Sequence, residues 1–415
     1  MNRIQVFEHE FLSIEGSFKK SHFVALSKLN ELHYDKYFKL RHNGIKFKEY
    51  VGVIQVEGLT IEILPKIDSD TNSKAVWQNA LIEMLRVTKK LKVQKVGEAN
   101  VKKQQIHLLD IYFEWFLTEI NLLMHQGLIK QYYKETKNVK ALKGKLEFSG
   151  HISKNIIHKE RFYTTHQIYD KDHLTHQILF QALDIVTNLS KGNYLYHQCK
   201  KTLLHFPDVK KIKATENTFS RVPQNRKTAP YKTALTIARL IILNYAPNVS
   251  KGSERMFALL FNMNSLWEEY ILKQLQKTCE GINIEIFGQE SKYFWGNNSL
   301  RPDIVLKEKA KTYIIDTKWK CPNNSSASVA DLRQMYTYCR FWDTEKALLL
   351  YPGENKNNEF KYFETIDYSK QLNNEIKIID HQCKMGFVSV LDTDGNINDQ
   401  IGLQILKIIQ IDKTV

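Results

Sequence analysis

Residues 1–70 are predicted to be rich in β-strands, although the first forty are ambiguous, because apolar and polar side chains alternate in the clearest runs. The clearest run covers residues 45–56. It is followed by Glu57-Gly58 and by a second run over residues 59–66. Two alternating runs joined by a short connection that contains glycine are typical of a β-hairpin. We therefore expect a β-rich N-terminal region whose sheet buries one face.

Apolar residues at helical spacing take over further along the chain. They predict helices over residues 73–87, 106–128, 172–189, 231–245 and 256–275. Ser73 is a candidate N-cap for the first of these helices, and Gly127 is a candidate breaker at the end of the second. Polar composition predicts connections over 89–103 and 193–226 and a hinge over 250–253.

Two short apolar runs, 304–306 and 312–315, predict a second hairpin with a charged turn between them. This hairpin would bring Asp303 beside Asp316, and the alternation of side chains would place Lys318 on the same face as Asp316. Carboxylates are the ligands that Mg²⁺ prefers, together with water and substrate phosphate. The sequence therefore predicts a site for Mg²⁺ or Mn²⁺ that cuts phosphodiester bonds. The alternative is a solvated sheet edge with an ordinary surface ion pair.

The flanking helices carry further polar side chains. Glu268 lies in the predicted helix 256–275 and could add a carboxylate to the site, with Glu269 as its nearest rival. Gln334 and Tyr338 lie one turn apart in a helix predicted over 331–338, so they share a face. They either position the substrate strand or the lysine, or they only pack the helix against the sheet.

The composition of the chain indicates what kind of partner it binds. The chain has 415 residues and a formal net charge of +15, which favours a polyanionic partner, with nucleic acid ahead of an anionic membrane surface. Five cysteines without metal-ligand spacing indicate reduced thiols in a cytoplasmic protein. No apolar span is long enough for a membrane helix. The sequence also lacks a phosphate-binding P-loop, so any motor that moves DNA would belong to a separate chain.

The order of these motifs resembles that of a known nuclease superfamily. A helix with Glu268, then Pro302-Asp303, then Asp316-Thr317-Lys318 resembles the PD-(D/E)xK nucleases, and Gln334 with Tyr338 resembles their RecB-like branch. Along its whole length the chain resembles the McrC family, the nuclease subunits of McrBC-type modification-dependent restriction systems. The motifs that carry this second resemblance are Gly52-Val53-Ile54, Ile63-Leu64-Pro65-Lys66, Leu142-Lys143-Gly144-Lys145-Leu146, Tyr231 and Phe261–Tyr270.

The resemblance implies an architecture of three segments. These are a β-rich domain over 1–100, a mainly helical partner-docking region over 101–249, and a PD-(D/E)xK nuclease domain over 250–415. The fold class would be an α+β N-terminal region with a helical middle, followed by an α/β domain with a mixed central sheet.

The resemblance also implies an activity, a partner and roles for the site residues. Asp303, Asp316 and Glu268 would hold the metal, with Lys318 as a fourth catalytic residue and Gln334 and Tyr338 as positioning residues. The family's Leu-x-Glu pattern favours Glu268 over Glu269. The partner would be a McrB-like AAA+ GTPase that recognises DNA with modified cytosine and moves it, while this chain cuts double-stranded DNA. The alternatives are a non-catalytic adaptor that regulates an NTPase ring and a general DNA-binding module.

Overall fold

A computed structural model describes residues 2–67, 73–90, 108–247, 255–309, 311–320, 322, 326–353, 359–366 and 376–411. These residues form 11 α-helices and several β-sheets, so the protein is a mixed α/β protein. Most of the predicted connection 89–103 and the predicted hinge 250–253 lie outside the described residues. Within the described ranges, no helix has the length and apolar character needed to cross a membrane.

The chain divides into two compact units. One consists of Met1–Lys95 together with Leu260–Val415, and the other is Val96–Leu259. The beginning and the end of the chain therefore fold together, and the middle forms a unit of its own. The predicted segments 1–100, 101–249 and 250–415 stay a prediction as domain boundaries.

The first unit begins with six strands, which belong to a five-stranded and a three-stranded sheet, and with two helices. Its elements are β1 (Asn2–Phe7), β2 (Phe11–Ser13), α1 (Lys20–Leu32), β3 (Phe38–Arg41), β4 (Gly44–Phe47), β5 (Tyr50–Val56), β6 (Leu59–Leu64) and α2 (Lys74–Val87). Strands β5 and β6 are antiparallel, and the residues between them, Glu57 and Gly58, have positive φ angles of 45° and 78°. Such a two-residue turn matches the twist of a hairpin, so the predicted hairpin is confirmed. Strand β1 pairs with β6 in parallel.

The predicted single run 45–56 is wrong in one respect. Strand β4 pairs with β2 and β3, whereas β5 pairs with β6, so the run is divided between two sheets. Alternation of side chains reports strand conformation but carries no information about the strand's partner. The predicted helix 73–87 is confirmed as α2, with Trp77, Leu81, Met84 and Leu85 buried. Ser73 occupies the N-cap position, although its side chain makes no capping hydrogen bond.

The second unit is mainly helical. Its elements are α3 (Leu108–Gln126), β7 (Gln131–Val139), β8 (Lys145–Leu146), α4 (Phe148–Asn155), β9 (Phe162–Asp170), α5 (Leu174–Leu189), α6 (Leu195–His205), α7 (Glu216–Ser220), a 3₁₀ turn (Ala229–Tyr231), α8 (Lys232–Leu243) and β10 (Tyr245–Pro247). Gly127 follows α3 with a φ of +88°, which confirms it as the breaker. Strands β7, β9 and β8 form a three-stranded sheet in that order.

Two predictions for secondary structure in the middle of the chain are wrong. The polar connection 193–226 contains α6 and α7, and only a narrow stripe of α6 is buried, at Leu195, Cys199 and Thr202. The helix predicted over 256–275 begins with strand β11 (Arg255–Asn262), and helix α9 (Met263–Thr278) follows. A short continuous apolar run fits a buried strand as well as a helix. Asn262 marks the boundary, because its side chain caps α9 by accepting a hydrogen bond from Ser265 N at 3.1 Å.

The last part of the chain contains a six-stranded sheet, a separate hairpin and two helices. The elements of this part are β12 (Ile284–Gly288), β13 (Lys292–Trp295), β14 (Asn298–Leu300), β15 (Ile304–Glu308), β16 (Lys311–Thr317), α10 (Val329–Trp342), β17 (Lys346–Pro352), β18 (Lys361–Ile366), β19 (Ile376–Val388) and α11 (Ile401–Ile409). The strand order is β12-β15-β16-β17-β19-β18, and β13 and β14 form a separate hairpin. Strands β16, β17 and β19 run parallel while their neighbours are antiparallel, so the sheet is mixed.

Helices cover both faces of this sheet. Val305, Ile314 and Leu349 form an apolar cluster with α10 on one face. Leu348 precedes Leu349 on β17, so its side chain points to the opposite face. There Leu348 and Ile408 of α11 both lie close to Gly386 of β19, and a side chain at Gly386 would clash with each of them. Burial on both faces explains why the central strands read as continuous apolar runs.

The four cysteines that the structure describes, at positions 199, 279, 339 and 383, are buried and form no disulfide. The prediction of free thiols is confirmed for these four. Cys321 lies outside the described residues.

Candidate active site

The two predicted aspartates lie at one end of the β15–β16 pair. Ile304 pairs with Ile315, and extending this register by one residue places Asp303 opposite Asp316. Residues opposite each other on antiparallel strands point to the same face. That face is the one covered by α10, because Val305 and Ile314, two residues from the aspartates, belong to the α10 cluster.

Asp303 is held in place by hydrogen bonds from the opposite strand. Its Oδ2 accepts hydrogen bonds from Thr317 N at 2.7 Å and from Thr317 Oγ1 at 3.0 Å. Burial raises the pKa of Asp303, and these two donors together with the cations of Lys318 and Arg301 oppose that rise. The carboxylate therefore has a fixed orientation and an environment that penalises its charge.

Asp316 is the more deeply buried aspartate, with 1% of its surface exposed. Its Oδ2 forms an ion pair with Lys318 Nζ at 2.6 Å. Burial, and then the negative charge of Asp303, raise the pKa of Asp316 to about 7, although Lys318 opposes both effects. The neutral form of this carboxyl is therefore favoured relative to that of a solvent-exposed aspartate.

Lys318 is held from a second side by α10. Its Nζ donates to Gln334 Oε1 at 3.4 Å, and Gln334 Nε2 donates to the Tyr338 hydroxyl at 2.8 Å. That hydroxyl donates to the Arg301 carbonyl at 3.1 Å. Burial lowers the pKa of Lys318, but Asp316 and Asp303 outweigh it and the net shift is upward, so the ammonium stays charged. The structure thus brings Gln334 and Tyr338 into one hydrogen-bonded chain with the lysine.

Glu268 and its neighbour Glu269 have different environments. Glu268 Oε1 accepts a hydrogen bond from Gln289 Nε2 at 2.5 Å. Burial and then the charge of Asp303 raise the pKa of Glu268, so this carboxyl lies within electrostatic reach of the aspartates. The carboxylate of Glu269 instead forms an ion pair with Lys90. The structure therefore favours Glu268 as the glutamate that shares the field of the two aspartates.

These carboxylates fit a hard divalent cation by their chemistry. Over the part of the chain that the structure describes, no three His, Cys, Asp or Glu side chains lie together at metal-ligand spacing. Mg²⁺ needs only one or two carboxylates when water and phosphate complete its shell. A cation here would also relieve the repulsion by which Asp303 raises the pKa of both Asp316 and Glu268. Two aspartates thus fit Mg²⁺, while the predicted three-carboxylate ligand set stays a prediction.

Gln289 is a site residue that the sequence did not predict. Its φ of 53° lies in the left-handed region, which residues other than glycine rarely adopt. Its side chain binds Glu268 and its backbone N donates to the Asp303 carbonyl at 2.9 Å, so one residue ties both acidic groups together. A left-handed glutamine has no local sequence signal, because the residues that mark such positions are glycine and asparagine.

Glu8 was missed as well, although it supports the site from the start of the chain. This buried carboxylate accepts hydrogen bonds from Trp319 Nε1 at 2.7 Å and from Lys66 N at 3.1 Å. Trp319 follows Lys318 directly and packs against Trp267, which precedes Glu268, with 5.3 Å between ring centroids. Because 311 positions separate Glu8 from Trp319, no local pattern could have revealed the contact.

We expect the Asp316 carboxyl to titrate near pH 7 in the metal-free protein, because burial and the Asp303 charge both disfavour its ionised form. Replacing Asp303 by Asn removes the negative neighbour and should lower the pKa of Asp316. Carbon-13 NMR of the labelled aspartate carboxyls, recorded from pH 4 to pH 9, measures both values. A normal pKa for Asp316 in the parent protein, or an unchanged one in Asp303→Asn, would contradict this description.

The chain is similar to known proteins in family, in sequence and in fold. A family described as "McrBC 5-methylcytosine restriction system component" matches residues 45–352. The chain is 21% identical over 243 residues to "Type IV methyl-directed restriction enzyme EcoKMcrBC" of Escherichia coli strain K12, covering 55% of this chain and 69% of that protein.

Two solved structures from Thermococcus gammatolerans are also similar. A chain of the tetradecameric assembly of McrB AAA+ hexamers with bound McrC matches with a TM-score of 0.67 and 18% identity, over 98% of this chain and 100% of that chain. This match shows a common fold. A chain of the McrBC complex solved by cryo-EM matches with a TM-score of 0.48 and 20% identity, over 66% of this chain and 87% of that one.

Proposed function

The chain belongs to the family of McrBC 5-methylcytosine restriction system components, and from this premise we propose that it is a metal-dependent DNA endonuclease that works with a separate GTPase. The observation that carries the proposal is the convergence of Asp303, Asp316 and Lys318 at one end of a mixed sheet. Buried acidic groups with raised pKa values beside a fixed ammonium are typical of catalytic sites.

The elements around the site support a PD-(D/E)xK assignment. Helix α9 carries Glu268, strand β15 follows Pro302-Asp303, strand β16 carries Asp316 and leads to Lys318, and α10 carries Gln334 and Tyr338. This is the order that the resemblance implied. The mixed sheet and the helices on both of its faces agree with the same assignment.

Asp303 and Asp316 would hold Mg²⁺ or Mn²⁺, with Glu268 as a third carboxylate and the Thr317 carbonyl as a further ligand. The bound ion would polarise a phosphate oxygen, lower the pKa of a water molecule and neutralise developing charge. Thr317 fixes the orientation of Asp303 through two hydrogen bonds. The site is thus ordered before the substrate arrives.

Lys318 would act as a charged donor. Its pKa is raised, so it is suited to orienting the attacking water and to stabilising negative charge on the phosphate, and not to accepting a proton. Gln334 holds the ammonium from the α10 side, and Tyr338 holds Gln334 in turn. These two residues would position the lysine without touching the scissile bond.

A McrB-like AAA+ GTPase is the proposed partner, and reading modified cytosine and moving double-stranded DNA would be its task. The unit Val96–Leu259 offers a surface for docking. Phe148, Ile152 and Ile156 lie four residues apart on and after α4, so they share one face, and all three are exposed. The opposite face of α4 packs on β9, where Gly150 lies against the ring of Tyr163. An apolar stripe of this kind is typical of a protein–protein contact.

The metal ligands can be tested by substitution. With the GTPase, GTP and modified DNA present, Asp303→Asn and Asp316→Asn should each reduce Mg²⁺-dependent cleavage more than about 100-fold, the scale for one lost electrostatic group. Glu285→Gln is the control, because this exposed carboxylate lies at the far end of the same sheet, opposite Lys307. Normal cleavage by Asp316→Asn would refute the site. No cleavage by the parent chain, combined with intact GTPase stimulation, would favour the adaptor function.

Lys318→Ala should lose cleavage and retain Mg²⁺ binding, because an ammonium is not a metal ligand. Removing the cation raises the pKa of Asp316 further, so calorimetric titration with Mg²⁺ should be performed at pH 8.5 or above. Asp303→Asn serves as the matched variant that should lose binding. If Lys318→Ala loses Mg²⁺ binding at high pH while its fold is intact, the proposed role of the lysine is wrong.

Substitutions in the docking surface should affect stimulation of the GTPase. Ile152→Glu places a charge in the apolar stripe and should weaken the partner's affinity by about 2 kcal/mol or more, which is roughly a 30-fold increase in the concentration needed to stimulate GTP turnover. Leu204→Glu is the control, since Leu204 is an exposed apolar residue on α6 of the same unit. Asp316→Asn should stimulate GTP turnover normally. Equal effects of Ile152→Glu and Leu204→Glu would refute this surface.

A further inference from the structure

The hairpin of β13 and β14 presents aromatic side chains to solvent immediately before the acidic site. Tyr293 is 80% exposed and Trp295 is 75% exposed. Four other tryptophans, at positions 77, 267, 319 and 342, are buried. Indole and phenol rings in water are a cost to solubility and often mark a binding surface.

The base of this hairpin is fixed to α10. Phe294 packs edge-on against Phe341, with 5.4 Å between ring centroids. Lys292 Nζ donates to the Phe341 carbonyl at 2.9 Å and lies over the Trp342 ring at 4.7 Å. The hairpin therefore uses one face for packing and holds Tyr293 and Trp295 out from a rigid base.

The hairpin continues directly into the site. Leu300 packs against the α10 cluster, the Arg301 carbonyl accepts a hydrogen bond from Tyr338, and Asp303 follows two residues later. Asp303 lies five positions after Asn298, and a chain of that length spans at most about 18 Å. This distance corresponds to about five base pairs at 3.4 Å each. A duplex that contacts both Asp303 and Asn298 would therefore do so within about five base pairs.

The charges around the hairpin suit a polyanion. Arg301 is exposed between the hairpin and the site, and Arg333 and Arg340 are exposed on α10. Two of the nearby acidic groups are paired with lysines: Glu290 with Lys307, and Asp331 with Lys320. Exposed arginines interspersed with aromatic rings are the side chains that bind phosphates and stack on bases.

We propose that Tyr293 and Trp295 insert as a wedge at a base-pair step next to the scissile phosphate and stack on the bases that they part, while Arg301, Arg333 and Arg340 contact the flanking phosphates. The hairpin would hold the substrate at the site independently of the sequence read by the partner. This proposal rests on the proposed nuclease function.

Tryptophan emission tests the contact without any cleavage. In EDTA at low salt, a 30-base-pair duplex should quench the emission of the full-length protein, because Trp295 is its most exposed indole. Trp295→Phe should lose most of that quenching and still bind the duplex. Arg340→Gln should reduce by about one the slope of log affinity against log salt concentration, as expected for one lost phosphate contact. Unchanged quenching in Trp295→Phe would overturn the proposal.

Cleavage in the presence of the GTPase gives a second measurement. Trp295→Ala should raise the KM for DNA by about 5- to 150-fold, the range for one lost stacking contact, and Trp295→Phe should restore most of it. Tyr362→Ala is the matched control, since Tyr362 is an exposed aromatic at the other edge of the sheet. Parent-like KM in Trp295→Ala, with cleavage still dependent on Asp303, overturns the hairpin proposal and leaves the nuclease function intact.

The competing occupant of this surface is a second copy of the chain. If sedimentation equilibrium shows that Trp295→Ala converts a dimer to a monomer, and DNA leaves the Trp295 emission unchanged, the surface is for self-association and the proposal is wrong. If the parent chain cuts no DNA at all, the proposed nuclease function fails, and the quenching experiment still decides whether the hairpin binds DNA.

Discussion

The burial of Asp316 beside Asp303 is the constraint on which the rest of the site depends. A carboxylate with 1% exposure loses most of its hydration, and a second carboxylate on the same face adds repulsion. The chain offsets this cost with Lys318 at 2.6 Å from Asp316 and with two Thr317 donors on Asp303. Removing one member of a buried ion pair generally costs about 3–5 kcal/mol, because the remaining charge is left without a partner.

The same constraint explains why several separate elements converge here. Helix α10 contributes Gln334 and Tyr338, which restrict the lysine that neutralises Asp316. Gln289 adopts a left-handed conformation to reach Glu268 and the Asp303 backbone together. Backbone strain that is tolerated beside acidic groups is characteristic of sites that must be ordered before a ligand binds.

Contacts between the two ends of the chain make the site a property of the whole first unit. Glu8 binds Trp319, the Glu49 carbonyl accepts a hydrogen bond from Met263 N at 2.9 Å, and Lys90 pairs with Glu269. The residues after 250 therefore lack several of their own structural partners when the N-terminal segment is removed. The compact units therefore do not correspond to a single cut in the chain.

The sequence by itself determined the elements whose signal is local. The hairpin at Glu57-Gly58, the helix after Ser73, the breaker Gly127 and the strands that bring Asp303 opposite Asp316 all follow from periodicity and turn residues within a few positions. Together with the order of the flanking helices, these features indicated the acidic pair and Lys318 as the candidate site.

Only the tertiary structure decided which partner each element takes and how deeply each group is buried. Residues 256–262 form a strand, and residues 45–56 are divided between two sheets. The sequence could not predict either result, because a short apolar run does not indicate which strand will pair with it. The contact between Glu8 and Trp319, the left-handed Gln289 and the raised pKa of Asp316 likewise depend on residues far apart in the sequence. The burial of a side chain and the electrostatic potential at it depend on all the groups around it in space. Only the folded chain brings those groups together.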